Sequence, residues 1–313
     1  MAGRRPRLLG DEPRILTTGR RRPRGLARVV VFALLAAAGT ALAVQVALGG
    51  STDHGTPTAA GPTVGDVSAQ AQAFTTAAPP PLPARDADWK LSRAVENAVP
   101  SGEAIGSAGK GGKEVALTFD DGPSSYTGQV LDILDSHGAK ATFFIVGRNA
   151  ANNPDLVRRA VESGHEIGNH TWSHAALTGL AKAARRQEVQ GASDAVRGAV
   201  GHAPRLFRPP YGAMRPGTNR EVRRAGLMPV VWSVDTRDYQ PGVTAKKLVA
   251  LVKRSLRPGS IILLHDGGGN RAKTVAALPK ILDEITRQGY RPVTVTQLLN
   301  DAPPETDDLA GRM

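Results

Sequence analysis

The sequence contains no cysteine among its 313 residues. That excludes a disulfide framework, so an exported domain would have to be held by its core, with a bound metal as the remaining cross-link. An internal repeat is also lacking, which excludes solenoid and propeller architectures. Charge is missing over one long stretch: no Asp, Glu, Lys or Arg lies between Arg28 and Asp53. Immediately before this gap, residues 1–28 form a basic arm holding nine arginines against Asp11 and Glu12, which accounts for +7 of the formal net charge of +12. The mostly apolar residues 29–50 are long enough to cross a bilayer as a helix, and the flanking arginines would stay cytoplasmic. Two outcomes fit: an uncleaved transmembrane anchor, or a signal peptide cut near Ala41-Leu42-Ala43. Either places the remainder outside the cytoplasm, on the cell membrane or secreted. Gly19-Arg20-Arg21-Arg22-Pro23 resembles a twin-arginine signal only loosely. Nucleic acid is not the expected partner, because over half of the excess charge precedes the apolar segment.

Residues 51–112 read as a linker rich in Ala, Pro, Thr and Gly, ending its most biased part at Ala78-Pro79-Pro80-Pro81-Leu82-Pro83. Trp89 and Leu91 hint at a short helix within it. From Lys113 the texture changes. Apolar, strand-like runs occur at 115–119, 141–146, 166–168, 206–208, 229–234, 261–264 and 292–295. Helical patterns lie between most of them, at 129–137, from Asn153-Pro154 to Gly164, and at 180–200, 218–225, 244–256 and 275–288. Strands alternating with helices imply parallel pairing through crossovers. Seven such units over residues 113–300 predict a barrel-like or strongly curved α/β domain rather than an open sheet, followed by a polar tail at 301–313.

Polar residues gather at the carboxyl ends of these strands, where the loops of such barrels converge on one face. Asp120 and Asp121 follow the first strand, His170 and His174 the third, Arg208 and Tyr211 the fourth, Asp235 and Asp238 the fifth, and His265 with Asp266 the sixth. Each string alone has a plain explanation. Asp-Asp-Gly-Pro is turn chemistry, and Arg208-Pro209-Pro210-Tyr211-Gly212 reads as a rigid loop. The His-x-x-x-His spacing puts two imidazoles on one side of a helical turn, which by itself is more often not a metal site. Five segments delivering ionisable groups to one rim is the combination that points to catalysis. Paired carboxylates with a histidine pair supply a metal-activated water and a separate proton acceptor. Gly267-Gly268-Gly269 lacks the lysine and helix spacing of a phosphate loop and reads as a flexible rim.

In this order, Thr118–Gly122, His170–His174, Arg208–Gly212, Asp235–Tyr239 and Leu263–His265 resemble the five motifs of polysaccharide deacetylases of carbohydrate esterase family four, which carry the NodB homology domain. The resemblance covers roughly residues 113–300 and implies the family's fold, a distorted (β/α)7-type barrel of parallel strands, in agreement with the alternation. It implies that Asp121, His170 and His174 bind a divalent metal, with zinc suiting the ligand set and cobalt or nickel as substitutes. It further implies Asp120 as general base supported by Arg208, and His265 as general acid oriented by Asp238. The backbone N–H of Tyr211 would stabilise the oxyanion, and Leu263 would line the acetyl pocket. The fourth motif usually ends in tryptophan, and here that place is Tyr239, another flat ring able to wall a sugar groove. The implied activity is metal-dependent removal of N-acetyl groups from a polysaccharide. Peptidoglycan N-acetylglucosamine leads, with chitooligosaccharide or acetylated xylan as alternatives. From another class, a cell-wall glycan-binding protein without turnover would be expected to have lost the base or a ligand.

Overall fold

The computed structural model describes residues 90–100 and 102–310. The basic arm, the apolar segment 29–50 and the linker as far as residue 89 lie outside the described residues, as do the last three. Among the described residues no helix is long and apolar enough to cross a membrane.

The centre of the fold is β2 (Glu114–Asp120), a strand that alternates its side chains between two hydrophobic cores. Val115, Leu117 and Phe119 pack outward against helices. Ala116 faces the opposite side, into a second cluster with Phe144, Leu206 and Ile261. β3 (Thr142–Ile145) lies beside the C-terminal half of β2, and β9 (Arg291–Val293) pairs with its N-terminal half. β8 (Ile261–His265) takes the other edge. Beyond β3 come β4 (Glu166–Asn169), β5 (Leu206–Phe207) and β6 (Met228–Pro229), and beyond β8 comes β7 (Val234–Asp235). All of these pairings are parallel.

The predicted strand 229–234 is two strands, which corrects the count of seven strands within an otherwise parallel, curled α/β sheet. Its first part pairs with β5 and its second with β8, so the sheet curls round and its two ends meet through residues 230–233 instead of through a ladder. The interruption has a cause. The Arg208 guanidinium takes the carbonyls of Val230 and Val231 at 3.4 and 2.9 Å, and the Val231 N–H goes to Ile105 at 2.8 Å. The result is a curled, incomplete α/β barrel.

Helices cover the outer face: α2 (Thr127–Ser136), α3 (Gly147–Asn152), α4 (Pro154–Glu162), α5 (Lys182–Val200), α6 (Pro216–Arg224), α7 (Ala245–Ser255) and α8 (Ala272–Arg287). Pro154 opens α4 at its first turn, and α5 ends where Gly201 turns left-handed at φ 87°. The predicted strand 292–295 gives up its end to α9 (Val295–Asp301), because the Thr294 side chain caps the Gln297 N–H. The linker and tail also need correction. Residues 93–98 form α1 (Arg93–Ala98), β1 (Ala104–Ile105) pairs antiparallel with β10 (Leu309–Ala310), and Val95, Ala104 and Ile105 are fully buried. Both flanks therefore belong to the folded domain.

Glu166 is buried in the middle of this fold. It accepts hydrogen bonds from Thr142 Oγ1 and the Thr296 N–H, each at 3.0 Å, and a further one from the Thr296 hydroxyl. Burial pushes its carboxyl up to about 7 against the pull of those bonds. The native state thus holds a proton that the unfolded chain has released between the ordinary value of 4.5 and 7, and stability falls as pH rises through that window. Glu166→Gln is expected to flatten this dependence and to exceed the parent in stability at pH 8 by on the order of 2 kcal/mol. Thermal melts at pH 5 and pH 8 read it directly. Asp266, also raised to about 7 by burial, leaves a residual slope.

Candidate active site

The alternation that puts Ala116 inside also puts Thr118 and Asp120 inside, above the inner core. Asp120 is 2% exposed, and its Oδ1 accepts from Arg208 Nη1 at 2.8 Å. The same Nη1 donates to Thr118 Oγ1 at 2.7 Å, and Thr118 in turn donates to the Ile262 carbonyl at 2.7 Å. Arg208 is completely buried, with its guanidinium 4.0 Å from the centre of the Phe144 ring and 5.7 Å from that of Trp232. Four polar partners and two rings fix it, and it fixes Asp120.

Asp121 begins the loop beyond β2 and turns away from its neighbour at φ 74°. Its Oδ1 lies 3.1 Å from His174 Nε2 and 3.5 Å from His170 Nε2. His170 is oriented by the contact of its Nδ1 with the Arg208 carbonyl at 2.7 Å, which leaves Nε2 facing the carboxylate. The expected helical turn under the two histidines is absent: residues 170–174 are loop. Thr171 and His174 both stand at φ 65° and bring the rings to 5.0 Å between centroids. Tyr211 has φ 60°, so three of the residues selected from the sequence carry backbone strain, which concentrates where function over-determines geometry.

Burial works to raise Asp121, and the imidazole of His170 together with the charges of His174 and His265 outweighs it, bringing the carboxyl down to about 2. Burial and His170 hold His174 below its ordinary value. Asp121, His170 and His174 place their ligand atoms within 4.8 Å of one another. Asp121 Oδ1 is buried and aligned for a hydrogen bond with neither imidazole. An orphaned carboxylate oxygen beside two imidazole nitrogens fits a divalent cation, and a two-nitrogen, one-oxygen set suits zinc.

Across the cleft, His265 closes β8. Its Nδ1 meets Asp238 Oδ1 at 2.7 Å, and its backbone N–H meets Oδ2 at 2.8 Å. Thr274 on α8 donates to the same Oδ2 at 2.7 Å. Burial draws His265 down, and the hydrogen bond and charge of Asp238, with the fields of Asp120 and Asp121, hold it above its ordinary value. The Tyr239 ring lies edge-on to His265 at 5.4 Å, its hydroxyl donating to Asp235 Oδ2 at 3.1 Å. Leu263 is buried at the cleft floor, while Tyr211 is 74% exposed at its mouth. The cleft encloses about 490 Å³.

Every residue selected from the sequence therefore lies in this cleft or braces a residue that does. Thr118, Thr274, Trp232, Arg148 and Arg271 were not selected. Only Thr118 carried a signal, standing two residues before Asp120 on the same strand face. The glycine rim also differs from expectation. A Cβ on Gly267 would lie 2.1 Å from the Asp121 carbonyl, and Arg271 ties down the carbonyls of Gly267 and Gly268 at 2.6 and 3.1 Å. The loop is packed, not loose. Gly122 is equally constrained, since a Cβ there would meet the Asp266 carboxylate at 2.4 Å.

The curled parallel barrel thus gathers at its strand ends an arginine-held Asp120, a His265–Asp238 pair and the Asp121–His170–His174 cluster. The family model for polysaccharide deacetylase matches residues 107–230. A peptidoglycan-N-acetylglucosamine deacetylase of Bacillus cereus is 43% identical over 191 residues, covering 60% of this chain and 88% of that protein. A chitooligosaccharide deacetylase of a Bradyrhizobium species is 41% identical, covering 60% and 91%. A crystal structure of a peptidoglycan N-acetylglucosamine deacetylase, 37% identical, superposes with a TM-score of 0.60 over 64% of this chain and 94% of the other. The chain belongs to the polysaccharide deacetylase family.

Proposed function

We propose that this protein hydrolyses the N-acetyl groups of peptidoglycan N-acetylglucosamine, using a divalent metal, most suitably zinc, held by Asp121, His170 and His174. When bound, that metal supplies a Lewis acid that polarises the acetyl carbonyl and makes water nucleophilic near neutral pH. The observation that carries the reading is the division of labour between adjacent carboxylates. Asp121 has an orphaned oxygen beside two imidazoles, whereas Asp120 is held apart by Arg208 at 2.8 Å.

Asp120 Oδ2, which lies 3.8 Å from His170 Nε2, takes the proton of the attacking water. The backbone N–H of Tyr211 meets the oxyanion that develops on the carbonyl. His265, with Nδ1 committed to Asp238, presents Nε2 to the cleft and gives its proton to the leaving amine as the C–N bond breaks. Acetate and a free amino sugar result. Leu263 accepts the acetyl methyl, and Tyr239 and Tyr211 offer rings to sugar faces.

Peptidoglycan is favoured by the first relative and by the apolar segment 29–50, which we read as an anchor or cleaved signal that puts residues 90–310 outside the cytoplasm. The chitooligosaccharide deacetylase relative supports the second substrate, and acetylated xylan is the third. A glycan-binding role without turnover finds no support, because base, acid and ligand residues are all retained. Acetate release from N-acetylglucosamine oligomers, peptidoglycan and acetylxylan separates these readings. Release from acetylxylan alone would replace amide hydrolysis with ester hydrolysis.

A further inference from the structure

The two walls of the cleft differ in chemistry, and the topology explains how. Tyr211, Trp232 and Tyr239 come from the segments after β5, between β6 and β7, and after β7. They form an aromatic wall. Arg148 follows β3 and Arg271 follows β8, and these strands are the immediate neighbours of β2. The two arginines therefore flank the Asp121 end of the cleft from either side. Two bonds hold the Arg148 flank in place: its backbone N–H donates to the Trp172 carbonyl at 3.0 Å, and the neighbouring Asn149 side chain donates through Nδ2 to the Asp121 carbonyl at 2.9 Å.

Neither arginine is neutralised. Among the described residues no carboxylate pairs with Arg148, which is exposed, or with Arg271, which is 6% exposed. Arg271 spends Nε and Nη2 on two glycine carbonyls, which satisfies donors but supplies no counter-charge. Withdrawing a guanidinium from water without an anion is unfavourable, and an anionic group on the ligand would complete the site with charge-assisted hydrogen bonds.

We infer that this cationic wall reads a carboxylate on the glycan, so that the enzyme prefers an acidic polysaccharide chain over a neutral one. The inference rests on the deacetylase reading and narrows its substrate class. With sugar faces against the aromatic wall, the acid of a neighbouring residue, such as the lactyl group of N-acetylmuramic acid, is directed to Arg148 and Arg271. A chitin oligomer has nothing to offer them.

The test compares kcat/KM for acetate release from three tetrasaccharides. These are the N-acetylglucosamine oligomer, the alternating N-acetylglucosamine–N-acetylmuramic acid oligomer, and the latter with its carboxylates methyl-esterified. The parent protein is expected to favour the free acid over its ester by roughly ten- to a hundredfold. Arg148→Gln, an exposed substitution compatible with folding, should erase most of that preference, and Arg148→Lys should restore part of it. Equal rates on acid and ester, or a variant that lowers all three substrates alike, would overturn the inference. No acetate from any of the three would instead defeat the deacetylase reading, and the inference with it.

Discussion

Asp120→Asn lowers kcat for acetate release by about 10²–10⁴-fold, the range that a positioned general base contributes. The asparagine keeps an oxygen that can accept from Arg208 Nη1, as Asp120 Oδ1 does at 2.8 Å, so the geometry of the loop survives while the proton acceptor is lost. Metal content should be unchanged, because the proposed ligand cluster, Asp121, His170 and His174, does not include Asp120. A fall in kcat with KM and bound metal intact assigns Asp120 to proton transfer. A parallel loss of metal would make it a ligand instead, and a variant at full rate would remove it from the mechanism. Circular dichroism at the assay temperature separates these outcomes from partial unfolding, since the substitution leaves a buried guanidinium facing a neutral amide.

The second large effect concerns stability. Arg208→Met is expected to destabilise the fold by about 3–5 kcal/mol, the cost of breaking a buried ion pair by removing one partner. Methionine would fill part of the space between Phe144 and Trp232, but Asp120 would be left buried without its counter-ion. The carbonyls of Val230 and Val231 would lose their donors at the point where the sheet is interrupted. Urea unfolding measures the loss. Arg208→Lys tests the cause: a lysine keeps the charge but cannot span Thr118, Asp120 and two carbonyls at once, so most of the destabilisation should remain. The double variant with Asp120→Asn should cost less than the sum of the singles, because the orphaned charge disappears with its partner.

Arg208 also marks the boundary of what sequence reasoning reaches. The alternation of strands and helices was legible because each obeys a local period, and Asp120, Asp121, His265 and Asp238 were legible because they end or follow apolar runs. The break between β6 and β7 was not. It arises when a side chain more than twenty residues upstream takes two main-chain carbonyls, a contact with no local signature. The run Pro292–Val295 reads as a strand, yet Thr294 spends its hydroxyl as a cap and Val295 starts α9. The pairing of β1 with β10 joins residues two hundred apart, so each half alone resembles linker or tail. Within the site, the meeting of His170 and His174 was anticipated but through the wrong geometry, since positive φ at Thr171 and His174 does the work assigned to a helical turn. Arg148, Arg271 and Thr274 are unremarkable residues in their own segments and acquire meaning only from what the fold sets beside them.

The central claim is that a metal held by Asp121, His170 and His174 and a base at Asp120 together cleave the acetamide of a polysaccharide. Acetate release from peptidoglycan by the purified protein, before and after exhaustive chelation, tests it most directly. Activity should fall to background when the metal content reaches zero and return on adding a stoichiometric divalent cation. Undiminished turnover by metal-free protein would contradict the claim.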